Sequence, residues 1–269
     1  MELTTNNPEK NASTLEVFEE HLNKAIGKPT LDFRMQTVRG LRKNTTREIK
    51  IYNGAHKATW AKTIINRKLR TIYIDVFINF KKNDLNSSDY NRLKELAIEG
   101  IKQYWSNNIT VDGVVFKVIV NCLHKDSSIA IPVDLKIEEG LNYNRPMNPA
   151  ILGIDASFIY QRGQRKAGIS SKIIDAEFKL TSAHEFGHSI LMYAGGIGLS
   201  WGHKGSTHIL LQSVKSSMPE YPKNGKIDIM KYYDDKSDPK SLFRRLKNSI
   251  AMEIDLKRLI WSSSILWKN

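Results

Sequence analysis

Ser182-Ala183-His184-Glu185-Phe186-Gly187-His188-Ser189-Ile190-Leu191 is the stretch on which the reading of this chain turns. It contains the pattern H-E-x-x-H, whose two histidines, four residues apart, fall on one face of a helix one turn from each other. Two neutral imidazoles placed so can converge on one Zn²⁺ ion and leave it room for a third protein ligand and a water. Glu185, between them, is then placed to act as general base, while the ion polarises the water and a substrate carbonyl. A purely structural explanation competes with this one. Ser182-x-x-Glu185 is also a capping box, and two histidines on a helix need no metal.

The surroundings favour the metal. Ala183, Phe186, Ile190 and Leu191 supply an apolar face, and Gly195-Gly196 offers a helix stop. Four of the seven histidines, His184, His188, His203 and His208, fall in this one region. The third ligand is less well marked. A metzincin places Gly three and His or Asp six residues after the second histidine, where this chain has Leu191 and Ala194. Three candidates remain, ranked in the order Asp228 in Lys226-Ile-Asp-Ile-Met-Lys-Tyr-Tyr233, His203 in Trp201-Gly-His-Lys-Gly205, and Glu253 near the C-terminus. Gly225 offers a bend that returns Asp228 toward the helix, and Tyr232 would then face the reaction centre as an oxyanion donor. Against this, Ile227 and Ile229 fit an ordinary buried strand.

Working outward, Thr71 to Phe80 alternates Ile72, Ile74, Val76, Ile78 and Phe80 with polar residues, the pattern of a half-buried strand. Ser88 or Asp89 can cap a helix to Trp105 whose Leu93, Leu96, Ala97, Ile101, Tyr104 and Trp105 form an apolar stripe. Val114 to Leu123 and Ile129 to Ile137 read as strands, joined by His124 to Ser128 into an antiparallel hairpin. Ile151 to Tyr160 is a further strand, and Ile173 to Tyr193 the motif helix. Asp238-Pro239 opens a helical tail through Trp261. The expected class is α+β: one mixed sheet, a helix carrying H-E-x-x-H, and a C-terminal helical part. Residues 1–70 read as an N-terminal arm with a docking helix at Leu15 to Ile26, and 71–269 as the main domain.

At 269 residues and 41% hydrophobic the chain can bury a core, which excludes general disorder. One cysteine, Cys122, excludes an internal disulfide framework. The first thirty residues hold no signal-peptide run, and nowhere do 18 apolar residues follow one another, so synthesis in the cytoplasm without a membrane span is expected. The net charge of +13 and pI of 9.6 suit nucleic acid, anionic lipid or an acidic protein partner and do not choose among them, with basic runs at Arg39 to Lys50 and Lys240 to Lys247.

The strand and helix order before His184, the His-Glu-Phe-Gly-His core, Trp201-Gly-His-Lys-Gly-Ser206 and Gly225-Lys-Ile-Asp-Ile-Met-Lys-Tyr-Tyr233 together resemble a bacterial toxin metallopeptidase. The likeness is to zincin domains at the C-termini of type VI secretion spike (VgrG) and Rhs proteins, over roughly Thr71 to Trp261. It implies a zincin-like fold, one catalytic zinc, a peptide or protein substrate, a spike carrier, a cognate immunity protein and action in the periplasm of a competing bacterium. Asp228-Ile-Met230-Lys-Tyr232 is similar to the Met-turn, in which a methionine lies under the metal and a tyrosine two residues on faces it. Relatives carry an acid at the position of Lys226, a departure that puts weight on Asp228. The competing class is a basic nucleic-acid or surface-binding module with a structural zinc. Nucleic acid is not an expected partner, because basic runs are usually solvated faces.

Overall fold

Strand β2, Thr71–Lys81, organises the molecule. Its even-numbered residues Ile72, Ile74, Val76, Ile78 and Phe80 are buried, while Tyr73, Asp75, Phe77 and Asn79 are half-buried. The structure, a computed structural model, describes residues 58–66, 68–111, 113–141, 155–194, 203–207, 219–234 and 241–268. The tail, the Leu15 to Ile26 helix, the Arg39 to Lys50 run, Ile151 to Ile154, Gly195-Gly196, His208 and Asp238-Pro239 lie outside the described residues.

Three strands pair with β2. β1, Ala61–Asn66, runs antiparallel to it with Ala61 opposite Val76 and Ile65 opposite Ile72. The sheet therefore begins ten residues before the expected boundary at Thr71. On its buried face β1 carries Ala61, Thr63 and Ile65, and a threonine and an alanine there hide the alternation. Helix α1, Ser87–Trp105, follows β2 and is capped by Asn86, whose side chain accepts from Asp89 N at 2.8 Å. Of the expected stripe it buries Leu93, Ala97, Ile101, Tyr104 and Trp105, and leaves Leu96 half-buried. The short β3, Asn108–Val111, and β4, Val114–His124, form an antiparallel pair, and β4 then lies parallel to β2 with Thr71 opposite Lys117.

The expected hairpin between β4 and the next strand does not form. β5, Ile131–Ile137, also runs parallel to β2, with Ile78 opposite Ile131, so the chain continues in one direction along β2. His124 to Ser128 lacks the Asn-Gly type of dipeptide that closes a two-residue hairpin. Its polar groups go instead to the end of β2: Lys125 N donates to Ile78 O at 2.9 Å, and Asn79 Nδ2 donates to Asp126 at 3.1 Å. β6, Ala156–Tyr160, pairs parallel with β5.

Helix α2, Ser171–Ala194, carries the H-E-x-x-H motif and packs on α1. The indole of Trp105 donates to the Ala183 carbonyl at 2.9 Å. At Gly100 a Cβ would lie 2.2 Å from Lys179 O, so the helix backbones approach too closely there for any side chain. After the two-residue β7, Ile227–Asp228, the single helical tail expected from the sequence is two helices. α3, Ser241–Asn248, gives way to β8, Ser249–Ile250, which pairs with β7, before α4, Glu253–Ser262. The break exists because Ala251 N donates to Tyr104 O at 2.8 Å and Ile250 O accepts from Ile229 N at 3.1 Å, replacing helical partners. It spans about one helical turn, which leaves the apolar phase nearly unchanged and the break invisible in the periodicity. β9, Ser264–Lys268, returns to the sheet parallel to β1.

The described residues thus form a mixed seven-stranded sheet with helices, in an α+β arrangement. Among them no helix is long and apolar enough to cross a membrane. Gly100→Ala should cost about 1–3 kcal/mol, the usual penalty of overpacking, read as a lower urea midpoint. An unchanged midpoint would mean that the two helices do not meet at Lys179.

Candidate metal centre

The motif helix is held by its own apolar face. Phe186 packs edge-on against both Trp60 and Trp105, with ring centroids 5.9 Å and 5.3 Å apart, which fixes the rotation of α2 about its axis. That rotation sends His184 and His188 to one side, where the turn His203–Gly205 meets them. One ligand atom from each of His184, His188 and His203 lies within 4.8 Å of the other two, and all three side chains are buried.

Each imidazole is oriented by a specific partner. His184 Nδ1 donates to the Ile229 carbonyl at 2.6 Å, which leaves Nε2 carrying the lone pair. That Nε2 is fully buried and has no hydrogen-bond partner, an orphaned acceptor of the kind a cation satisfies. His203 Nδ1 is 3.0 Å from Thr207 Oγ1. The rings of His184 and His203 stack at 5.3 Å, and His188 stands edge-on to each at 4.9 Å. Three imidazoles, one with an orphaned nitrogen turned inward, are a donor set that fits Zn²⁺.

The residue grouped with His184 and His188 is His203, and not the first-ranked Asp228. Asp228 Oδ2 is 2.7 Å from Lys204 Nζ and Oδ1 accepts from Met230 N at 2.9 Å, so both carboxylate oxygens are engaged. Glu253 is also elsewhere: it accepts from Thr110 N at 3.1 Å and pairs with Lys257 at 2.6 Å. Tyr232 does join the group. Its ring stacks on His203 at 4.2 Å and lies 5.7 Å from that of His184, and its backbone N–H donates to Ser206 Oγ at 2.9 Å.

Met230 lies beneath the helix, wholly buried, and a Cβ at position 187 would come 2.2 Å from its sulfur. This explains why the fourth motif residue is glycine. Residues that sequence reasoning missed are Thr207, which holds the His203 ring, and Lys204 and Asp255, which lie behind it. Lys204 had adjacency to His203 as its sole signal, and no spacing connects it to Asp255.

Glu185 sits 3.9 Å from His188 Nε2 and is 6% exposed. Burial pushes its carboxyl up to about 8, and burial holds His184 below the usual imidazole range. A divalent cation at the imidazoles would counter the first effect by favouring the carboxylate. Ala156 and Phe158 of β6 lie near Glu185, Phe186 and Ser189 of α2, and the one strand partner of β6, among the described residues, is β5.

No family model matches the chain, and neither a curated protein nor a solved structure gives a significant match.

Two outcomes follow from this geometry. The protein should hold about one zinc per chain, and His203→Ala should lose more than the 10- to 100-fold in affinity that removal of an outer hydrogen-bond partner costs. Elemental analysis and chelator competition read both; unchanged affinity would remove His203 from the site. The second concerns pH. The folded chain keeps a proton on Glu185 that the unfolded chain releases above the ordinary value of 4.5. The resulting stability is full below about 4.5 and is lost as pH rises toward 8. In chelator-treated protein Glu185→Gln should therefore raise the melting temperature at pH 8, with the gain shrinking toward pH 4.5. Equal melting temperatures at pH 8 would show a solvated carboxyl.

Proposed function

We propose that this chain is a zinc-dependent metallopeptidase with a zincin-like fold, acting as an antibacterial toxin effector. The observation that carries the enzymatic part is the convergence of His184, His188 and His203 beside the buried carboxyl of Glu185. A structural zinc takes four protein ligands, whereas a catalytic one takes three and keeps a position open. Among the described residues the group has three, which favours catalysis over the structural-zinc reading. The resemblance of the His-Glu-Phe-Gly-His and Gly225 to Tyr233 segments to toxin metallopeptidases supports the biological part.

Zinc held by the three histidines would supply Lewis acidity, polarising the scissile carbonyl and lowering the pKa of water. Glu185 takes the proton from the attacking water and returns it to the leaving nitrogen, a role that needs the carboxylate form, which a cation at the imidazoles would favour. Burial keeps competing solvent away from that proton. Tyr232, fixed on His203 by stacking and by the Ser206 hydroxyl, donates its O–H to the carbonyl oxygen as charge develops there. The Ile229 carbonyl keeps the His184 ring in one tautomer throughout. An extended peptide adds to the sheet along β6, which brings its carbonyl past Glu185. The partners of this reading are that peptide or protein substrate, a cognate immunity protein and a secretion spike carrier, with action in the target periplasm.

Glu185→Gln should fold, retain zinc and lose about 10²- to 10⁴-fold in turnover, the usual worth of a general base. Sent to the periplasm of a test bacterium, it should be harmless where the unsubstituted chain is toxic. Undiminished toxicity from a folded, zinc-loaded Glu185→Gln protein would sink the peptidase reading. Tyr232→Phe should spare zinc and lower turnover, and full turnover would remove the tyrosine from the reaction.

A further inference from the structure

Behind the three imidazoles lies a second buried cluster. Lys204, next in sequence to His203, places its Nζ 2.7 Å from Asp228 Oδ2 and 2.5 Å from Asp255 Oδ2, and Arg258 Nη1 is 3.4 Å from Asp255 Oδ1. The Lys204 side chain is 11% exposed, that of Asp228 10%, and that of Asp255 not at all. Two cations face two carboxylates, so the cluster is balanced in formal charge. Buried pairs of this kind seldom repay their desolvation as stability, and a use in fixing one arrangement of the chain is the better-attested reason for them.

That arrangement is visible in the backbone. His203 and Lys204 have φ of 42° and 54°, two consecutive left-handed residues, neither of them glycine. Such conformations persist where the surroundings over-determine them. Here the turn is held at three points: Lys204 by Asp228 of β7 and Asp255 of α4, Ser206 Oγ by the His203 carbonyl at 2.7 Å, and Tyr232 N by Ser206 Oγ. Asp228 also accepts from Met230 N, which sets the turn whose Ile229 carbonyl orients His184. One carboxylate therefore holds both the partner of the first imidazole and the residue beside the third.

We propose that Lys204, clamped between Asp228 and Asp255, is a positioning residue that brings His203 to His184 and His188 and thereby sets the affinity of the centre for its metal. This rests on the metal-centre reading given above. Asp228 acts through Lys204 rather than as a ligand, and helix α4 is tied to the centre through Asp255. Removing the ammonium frees the turn to relax to right-handed backbone, which carries His203 away from the other two rings.

Zinc affinity of the full chain, measured by competition with a chromophoric chelator, tests this together with the visible absorption of the cobalt(II)-loaded protein. Lys204→Met should weaken zinc by about 10- to 100-fold, the range for outer groups that hold a ligand, and should alter the cobalt bands. Lys204→Arg, which keeps the charge, should recover part of the affinity, a rescue that loss of packing alone would not give. Urea midpoints recorded in chelator separate loss of the ligand from loss of the fold. Should Lys204→Met fail to fold, Lys204→Met combined with Asp255→Asn removes one charge of each sign and carries the same expectation. Zinc binding as tight as in the unsubstituted chain, with unchanged cobalt bands, in either folded variant overturns the proposal and leaves the centre standing. If His184→Ala/His188→Ala binds zinc as the unsubstituted chain does, the centre itself is lost, and the role of Lys204 with it.

Discussion

The hydrogen bond from His184 Nδ1 to the Ile229 carbonyl, 2.6 Å long and buried, joins the two halves of the candidate site. One half is a helix set rigidly on the sheet by Trp60, Trp105 and Phe186. The other is irregular chain, the His203 turn and the Ile227 to Tyr233 segment, with little regular structure of its own. Irregular backbone can be placed accurately where its polar groups are spoken for. Ile229 supplies a carbonyl to His184 and an N–H to Ile250, and Asp228 supplies carboxylate oxygens to Lys204 and Met230. The sheet and helices act as the frame, and this chain of polar contacts carries their rigidity to the third imidazole.

The site is costly to build. A buried glutamate, a buried imidazole nitrogen with no partner, two left-handed residues and four buried charges all oppose folding, and they lie within one small region. Natural proteins tolerate such features where chemistry requires them and offset them with packing elsewhere. Here the offset comes from the β2 face and the α1 stripe, where Ile72, Ile74, Val76, Ile78, Leu93, Ala97 and Ile101 are all fully buried. Gly187 and Met230 show both demands at one point: the glycine lets the methionine close against the helix that carries His184 and His188, at the expense of helix propensity.

Much of this was legible in the sequence where one local signal sufficed. The alternation of β2, the stripe of α1 and the H-E-x-x-H pair each depend on residues a few positions apart, and the structure has all three. The errors share a cause, which is that pairing between distant segments leaves no local mark. β4 and β5 are both strands, but their parallel course beside β2 is decided by β2 and not by the turn between them. β1 was hidden because Thr63 stands on its buried face, where its hydroxyl meets Ser263 Oγ at 2.6 Å. Asp228 was ranked above His203 on the bend at Gly225 and the likeness of its segment to a Met-turn; neither signal reports Lys204, whose partners lie 24 and 51 residues away and which engages that carboxylate.

The central claim is that three imidazoles, from His184, His188 and His203, form the metal centre. X-ray absorption at the zinc edge of the stoichiometrically loaded protein tests it most directly, because imidazole rings give multiple-scattering features that carboxylates do not. The expected first shell is nitrogen and oxygen at about 2.0–2.1 Å, fitted with three imidazoles in the unsubstituted protein and two in His203→Ala. A shell with two imidazoles in the unsubstituted protein, unchanged by His203→Ala, would contradict it.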